Sequence, residues 1–154
     1  MNRQSQIKMT TEERDKFLSE KARTMMLCTI DKDGFPHAVA MAYMMKDGCV
    51  YVTSFKKAQK VVNARRNPKV AVMVETGTAY NELKGVMIRG RCEVFDEPDE
   101  VWKIMREIRA FQEGGTPAPA SAVVQARAKK RAVLKITPEQ ITRWDHSKLP
   151  PDTD

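Results

Sequence analysis

Cysteine and histidine are scarce in this chain. Its 154 residues include three cysteines and two histidines. Cys28, Cys49 and Cys92 each lie inside an apolar, strand-like run, and no two of them have the spacing of a metal knuckle or a redox pair. His37 and His146 stand alone. We therefore expect reduced core thiols and no metal site.

Long apolar runs are also missing. No stretch approaches the roughly 18 to 20 consecutive apolar residues of a membrane span, and the first eight residues are polar where a signal peptide would be apolar. We expect a cytoplasmic protein without a membrane partner. With 42% hydrophobic residues, the length suits one domain. We predict a disordered tail over residues 1–9, a single domain over 10–149 and a C-terminal tail over 150–154.

Acidic residues are absent from one long segment. The net charge is +7, and six basic residues without an acidic one lie between Lys56 and Lys69. A second cluster contains Arg127, Lys129, Lys130 and Arg131. Such a surplus favours an anionic partner, which is a nucleic acid, a phosphorylated cofactor or merely the counterions of the solvent.

Short strands separated by turns make up most of the pattern. The first three are predicted at 24–30, 37–45 and 49–53, with turns at 31–34 and 46–48, and together they suggest an antiparallel meander. Three more strands are predicted at 70–75, 85–95 and 132–137, and a short segment, 141–144, follows them before the polar tail. Since three strands precede the first inserted helix, we expect a mainly β fold, a six-stranded antiparallel barrel, and not a doubly wound sheet.

Helical signals are few. Thr10 and Glu13 form a capping box, which predicts a helix from Thr11 to about Glu20. Apolar residues at helical spacing predict another short helix between Phe55 and Asn67. Further helices are predicted from Pro98 to about Phe111 and over roughly 120–129, with a Gly- and Pro-rich loop at 113–120 between them.

The junction between the third strand and the basic helix carries a candidate anion site. Thr53 and Ser54 end the strand, and Lys57 and Lys60 follow at the helix start. Hydroxyls, ammonium groups and the free N–H groups of a helix N-terminus suit a phosphate. The alternative is a solvated helix face, as most charged runs are.

The combination of these segments resembles the pyridoxamine 5′-phosphate oxidase-like family of FMN-binding split barrels. The matching pieces are Leu-Cys-Thr-Ile-Asp-Lys-Asp-Gly-Phe-Pro-His (27–37), the Val-Thr-Ser strand end, Lys-Val-Val-Asn-Ala-Arg-Arg-Asn-Pro-Lys-Val-Ala-Val (60–72) and Val-Met-Ile-Arg-Gly-Arg-Cys-Glu-Val-Phe (86–95). The resemblance spans about residues 10–149 and ends in Trp144-Asp145. It implies a Greek-key split barrel with short flanking helices.

The resemblance also implies a cofactor and its contacts. The family holds its cofactor at a homodimer interface, with the phosphate at positions matching Thr53, Ser54, Lys57 and Lys60. The ring borders the strand that matches 37–41, for which core packing is the alternative. Its candidate ring contacts here are His37, Val39, Ala40 and Met41. Trp144 is either a contact to the partner's cofactor or an ordinary interface anchor.

The expected function is hydride transfer between FMN, or alternatively the deazaflavin coenzyme F420, and a small organic substrate. The arginine and histidine pattern of true pyridoxamine phosphate oxidases has only a weak counterpart in Arg143 and His146, so vitamin B6 oxidation is not expected. Tyr43, Tyr80 and His37 are candidate proton donors, each also suited to a structural role. Two alternatives are a non-catalytic flavin or haem carrier or sensor, and a nucleic-acid-binding barrel. Few aromatic residues lie near the basic run, so we expect no nucleic-acid partner.

Overall fold

The computed structural model describes residues 2–20 and 24–151, which form five helices, seven strands and two 3₁₀ turns. The helices are α1 (Arg3–Gln6), α2 (Thr11–Ser19), α3 (Gln59–Arg66), α4 (Pro98–Glu113) and α5 (Ala122–Ala128). The strands are β1 (Thr24–Ile30), β2 (Pro36–Ala42), β3 (Met44–Lys46), β4 (Cys49–Phe55), β5 (Lys69–Thr76), β6 (Lys84–Phe95) and β7 (Arg131–Asp145). The 3₁₀ turns cover Tyr80–Glu82 and His146–Lys148.

All seven strands belong to one curled antiparallel sheet in the order β2-β1-β5-β6-β7-β4-β3. Its inner face encloses a single core to which every strand contributes a buried or partly buried apolar side chain, and Phe17 and Leu18 of α2 join this core. Because the sheet wraps around that core, the fold is the mainly β split barrel that the sequence predicts. The number of strands is seven and not six.

The additional strand arises at Tyr43. The predicted strand over 37–45 is divided there into β2, which pairs with β1, and β3, which pairs with β4. Tyr43 is buried in the barrel core and donates a hydrogen bond from its hydroxyl to the Leu18 carbonyl, 2.7 Å away. The predicted meander is therefore wrong, because β2 and β3 lie at opposite ends of the strand order.

The last strand is longer than predicted. The sequence suggests a strand at 132–137 and a separate short segment at 141–144, but β7 covers both. Its register against β6 shifts between Arg89, opposite Gln140, and Gly90, opposite Pro138, so Glu139 is left out of the pairing. A β-bulge of this kind bends a strand and lets it continue past a proline.

Local signals explain several element boundaries. The Thr10–Glu13 capping box forms at the start of α2, with Glu13 N–H donating to Thr10 Oγ1 at 3.1 Å. Gly34 has φ 87°, a left-handed conformation that glycine adopts without strain in the β1–β2 turn. Asp47 and Gly48 both have positive φ and form the two-residue hairpin between β3 and β4.

Helices α4 and α5 form a second layer outside the barrel. They cover the outer face of β4 and β7, where a second apolar cluster includes Met44, Val101, Ile104, Ile108 and Val133. Since Val133 is fully buried although it points away from the barrel core, this part of the sheet is apolar on both faces.

The N-terminal segment differs from the expected disordered tail over its described residues, 2–9. Residues Arg3–Gln6 form α1, Met9 is buried in the barrel core, and Ile7 accepts a 2.7 Å hydrogen bond from the Asp145 N–H. Backbone pairing with the end of β7 and burial of Met9 explain the difference. Across the described part of the chain, no helix combines the length and the apolar character needed to span a membrane.

Candidate functional site

The predicted phosphate-binding segment lies between the end of β4 and the start of α3. Ser54 points into the barrel, is 4% exposed and lies opposite Ala132, whereas Thr53 is half-buried on the outer face. The structure therefore does not bring these two hydroxyls to one side of the strand, because neighbouring strand residues alternate between faces.

Lys57 and Lys60 lie on either side of the start of α3. Lys57 is exposed and Lys60 is half-buried in the first turn of the helix, whose N-cap, Ala58, has no side-chain hydrogen bond to the helix. Within the described ranges, neither lysine has a carboxylate within 4 Å. Two unneutralised ammonium groups beside an uncapped helix start are chemically suited to a phosphate.

The two basic clusters of the sequence meet in space at this point. Arg131, the first residue of β7, lies opposite Phe55, the last residue of β4, and Lys56 N–H donates to the Lys130 carbonyl at 3.0 Å. The Arg131 guanidinium lies 4.8 Å from the Phe55 ring centroid and donates to the Thr53 carbonyl at 3.2 Å. The region formed by Thr53, Lys57, Lys60 and Arg131 is called the basic cradle below.

Arg131 is a residue that sequence reasoning did not assign to the site. Its Nε is buried and has no hydrogen-bond partner in the described structure. Burial lowers the pKa of Arg131 and the nearby charge of Arg127 lowers it further, but an arginine of this kind stays protonated. An unpaired buried donor is costly, so it indicates a place for an acceptor. The signal in sequence was the basic residue directly preceding an apolar strand.

Asp96 limits the positive surplus on one side of the cradle. Its carboxylate lies 3.1 Å from Arg65 and 3.8 Å from Lys56. The absence of acidic residues from segment 56–69 is therefore partly compensated in space by a residue that follows β6. Among the described residues, Lys57, Lys60 and Arg131 have no such carboxylate.

A buried polar network fixes α3 to the barrel. Asn63 is fully buried, donates to Thr29 Oγ1 at 3.1 Å and accepts from Gln59 Nε2 at 2.6 Å and from Arg66 Nη2 at 3.1 Å. Arg66 also donates to the Ile30 carbonyl at 3.1 Å. Because each partner lies on α3 or β1, the network sets the position of the helix start that carries Lys60.

The candidate ring contacts on β2 divide between its two faces. His37, Val39 and Met41 are half-buried on the inner face, where Val39 and Met41 pack against the barrel core, and Ala40 is exposed on the outer face. His37 lies opposite Thr29, and its buried Nδ1 has no hydrogen-bond partner among the described residues. Among the candidate ring contacts, His37 therefore lies opposite Thr29, the residue of β1 that accepts a hydrogen bond from Asn63 of α3.

Trp144 lies near the opposite end of β7 from Arg131. It pairs with Gly85, and its indole ring occupies the space that a Cβ atom at position 85 would need. Within one chain, therefore, the structure does not bring Trp144 to the basic cradle. A ring contact by Trp144 requires the cradle of another copy.

Two of the three candidate proton donors, Tyr43 and Tyr80, have structural partners. The Tyr43 hydroxyl is bound to Leu18, as described above. Tyr80 packs edge-on against His146, with centroids 4.6 Å apart, and its carbonyl lies 3.0 Å from His146 Nδ1. Arg143 donates from Nε to the Met9 carbonyl at 2.7 Å. Of these groups, His37 alone retains a buried nitrogen without a partner in the described structure.

One part of the outer sheet surface is apolar and uncovered. Met26 of β1 lies opposite Ala40 of β2 and Met73 of β5, and Met73 lies opposite Met87 of β6. Met26 is 37% exposed, and Ala40 is exposed. The face, called the alanine–methionine face below, consists of Met26, Cys28, Ala38, Ala40, Ala42, Ala71, Met73 and Met87. Such a patch is typical of a protein interface.

Comparison with known proteins agrees with this geometry. Residues 10–145 match the model of the pyridoxamine 5′-phosphate oxidase family. A conserved hypothetical protein from Mycobacterium tuberculosis, Rv2991, is 31% identical; the match covers 100% of this chain and 97% of that one, with a TM-score of 0.86.

Two more distant structures share the fold. An F420 reductase is 22% identical, with 80% of this chain and 92% of that chain covered and a TM-score of 0.63. HutZ, a haem storage protein from Vibrio cholerae, is 16% identical, with 88% and 96% covered and a TM-score of 0.67. No curated protein matches the sequence.

Proposed function

This chain belongs to the pyridoxamine 5′-phosphate oxidase family, and we propose that it is an oxidoreductase that uses FMN or coenzyme F420 to transfer hydride to or from a small organic molecule. The observation that carries the proposal is the basic cradle. There, strand pairing brings two basic clusters together beside the uncapped start of α3.

The residues of the cradle fit a phosphate group. Lys57 and Lys60 supply two ammonium groups without carboxylate partners, and the unpaired Nε of Arg131 supplies a buried donor. Thr53 lies on the same face as Phe55, which Arg131 covers. Ser54 faces the barrel interior, so its part in this proposal is limited to the strand end that it forms.

The ring of the cofactor is assigned to β2. His37 offers its unpaired Nδ1 as a hydrogen-bond partner, while Val39 and Met41, on the same face, supply an apolar border. Ala40 lies on the opposite face, so its part in this proposal is in the alanine–methionine face. When bound, the cofactor supplies the hydride chemistry itself. The chain's own residues position it and exclude water.

A second copy of the chain completes the site in this proposal. The alanine–methionine face needs an apolar partner, and a two-fold symmetric dimer lets the same surface cover itself. Trp144, whose side chain lies on the same side of the sheet as that face, then contacts the cofactor bound to the partner.

Two arguments bear on which cofactor is bound. The family resemblance favours FMN. The surplus positive charge, which continues from the cradle to Arg127, Lys129 and Lys130, favours the longer and more anionic F420, and the F420 reductase shares the fold. Vitamin B6 oxidation is not proposed.

The second candidate function is a non-catalytic carrier or sensor of flavin or haem. A haem storage protein shares the fold, and the described part of the cradle contains no acid–base pair. A nucleic-acid reader is less well supported, because Tyr51 packs into the second apolar cluster, which leaves Phe55 as the exposed aromatic side chain of the two near the basic run, with Arg131 over one face of its ring. The cytoplasmic location stays a prediction.

Turnover separates the enzyme from the carrier. The reduced cofactor, bound to the protein under anaerobic conditions, is mixed in a stopped-flow instrument with a panel of quinones and activated enones. An oxidoreductase should accelerate oxidation of the bound cofactor over the free cofactor for at least one acceptor, because it holds the acceptor in line with the ring. Rates no faster than those of the free cofactor for every acceptor would favour the carrier.

A further inference from the structure

A cavity between α4, the segment 114–121 and α5 lies outside the site described above. Its volume is about 260 Å³. Met105 and Ala110 of α4 and Val124 of α5 form apolar parts of its wall, and Arg106, Arg109 and Arg127 contribute guanidinium groups. A concave apolar pocket with a few convergent polar groups is the usual form of a small-molecule site.

One of the three guanidinium groups is neutralised. Arg109 Nε lies 2.8 Å from a Glu113 carboxylate oxygen, and both side chains are largely exposed. Glu113 is the acidic residue that borders the cavity. Its charge is therefore used by Arg109 and does not offset the other two arginines.

The groups that hold the Arg106 side chain in place do not neutralise its positive charge. It donates to the carbonyls of Ala118 and Pro117, and its guanidinium lies 4.5 Å from the Trp102 ring centroid. These partners are neutral, so they fix the orientation of the guanidinium plane without cancelling its charge. Arg106 is thereby preorganised at the wall of the cavity.

Arg127 is a second cation without a counter-charge. It is exposed at the end of α5, and within residues 2–20 and 24–151 it has no carboxylate within 4 Å. It also lies close enough to Arg131 to repel it. Arg106 and Arg127 thus place two positive charges at one small cavity, and an anion bound between them would be attracted by both.

We propose that this cavity binds a small organic carboxylate, with the anionic group held by Arg106 and Arg127 and the apolar body against Met105, Ala110 and Val124. Arg106 Nη1 and the Arg127 guanidinium remain as donors to a carboxylate, since Nε and Nη2 of Arg106 donate to backbone carbonyls, and the volume admits only a small body. None of these residues belongs to the basic cradle, but Arg127 is also part of the surplus charge that favours F420, so the test is made without any cofactor.

The test is a titration of the isotope-labelled full chain with sodium benzoate, followed by amide chemical shifts, with no cofactor added. Benzoate should produce saturable shifts in residues 105–127, and benzamide, its neutral analogue, should produce none. Arg127→Gln should weaken benzoate binding at least tenfold. Lys129→Gln removes the same charge from an exposed neighbour outside the cavity and should change binding by less than twofold.

Any one of the following results would overturn the proposal. These are shifts that do not saturate, equal shifts with benzamide, and equal weakening by Arg127→Gln and Lys129→Gln. Arg127 is exposed, so its substitution should leave the fold intact, and the unchanged amide spectrum of the free variant checks this. Saturable benzoate binding that Arg127→Gln leaves unchanged would also contradict the assignment.

Discussion

The outer surface of the sheet has two contrasting halves. Over β4 and β7, the side chains Tyr51 and Val133 are covered by α4 and α5 of the same chain. Over β1, β2 and β5, the alanine–methionine face carries apolar side chains that no described part of the chain covers to a comparable extent. The first half is completed within one chain, and in the dimer proposed above the second half is completed by the partner.

The side chains of the two halves differ in size as well as in cover. The covered half uses aromatic and branched residues such as Phe95 and Val133, which fill the space beneath two helices. In the uncovered half, β2 contributes three outward side chains to the alanine–methionine face, and all three are alanines: Ala38, Ala40 and Ala42. Small side chains allow another backbone surface to approach closely. None of the described helices covers these alanines.

Ile104→Ala should give the largest effect. Ile104 is 8% exposed in the second cluster, so its truncation should lower the free energy of unfolding by about 2–5 kcal/mol. Met73→Ala removes a side chain of similar size from the uncovered half and should cost less under conditions in which the chain is monomeric. Urea denaturation of both variants measures the difference. Equal losses would mean that the two halves do not differ in this way.

Ala40→Glu should break the assembly without unfolding the chain. The substitution places an unpaired carboxylate on the alanine–methionine face of each subunit, and burying it in an apolar interface is costly. We expect the dimer dissociation constant to rise at least about 100-fold, which corresponds to about 2.7 kcal/mol. Sedimentation equilibrium measures this.

Ala126→Glu on α5 is the matched control, since Ala126 is exposed and lies on the covered side of the molecule. It should leave the dissociation constant unchanged. A wild-type chain that sediments as a monomer at micromolar concentration would contradict the dimer outright.

Lys57→Ala with Lys60→Ala should weaken binding of FMN or F420 by well over tenfold. Each lysine is expected to make a charge-assisted contact to the phosphate, and a tenfold change corresponds to about 1.4 kcal/mol. Lys16→Ala with Lys103→Ala removes the same charge from α2 and α4 and serves as the control. Equal affinity of the two double variants would show that the cradle lysines form only a solvated face.

The smallest effect concerns Asp145, next to Trp144 at the edge of the uncovered half. Burial alone would raise the pKa of Asp145, but hydrogen bonds from Ser147 and Lys84 outweigh it and lower the pKa below its ordinary value. Lys84 Nζ lies 3.0 Å from the carboxylate. A lowered native pKa means that the stabilisation is present above the ordinary pKa and is lost as the pH falls through the native one.

Asp145→Asn should therefore lower the free energy of unfolding by about 1 kcal/mol at pH 6, since Lys84 is partly exposed to solvent. The difference from the wild type should shrink as the pH approaches 3 or below. Glu139→Gln is the control: it breaks the ion pair with Arg91, whose two side chains are both 57% exposed, and should change the free energy of unfolding little. Parallel stability curves at all pH values would contradict the role of Asp145.

Local signals in the sequence predicted most elements, because each rests on neighbouring residues. The capping box of Thr10 and Glu13 and the turn at Gly34 are examples. The strand break at Tyr43 has no turn residue, because it results from Tyr43 and Met44 being buried in two different cores. The continuation of β7 past Pro138 depends on a bulge that only the pairing with β6 shows.

The candidate site was predicted in part for the same reason. Lys57 and Lys60 lie in one segment, so their proximity could be predicted from sequence. The approach of Arg131 depends on the pairing of β4 with β7, and the link from Asn63 to Thr29 depends on how α3 packs. Which outer face is covered cannot be read from alternation, since both halves alternate alike.

The most direct test of the shared site is a fluorescence titration of FMN and of F420 with the wild type and with the monomeric Ala40→Glu variant. If the cofactor lies between two copies, the folded monomer should bind at least tenfold more weakly than the wild type, while Ala126→Glu binds normally. A folded Ala40→Glu monomer that binds either cofactor as tightly as the wild-type dimer would contradict the shared site.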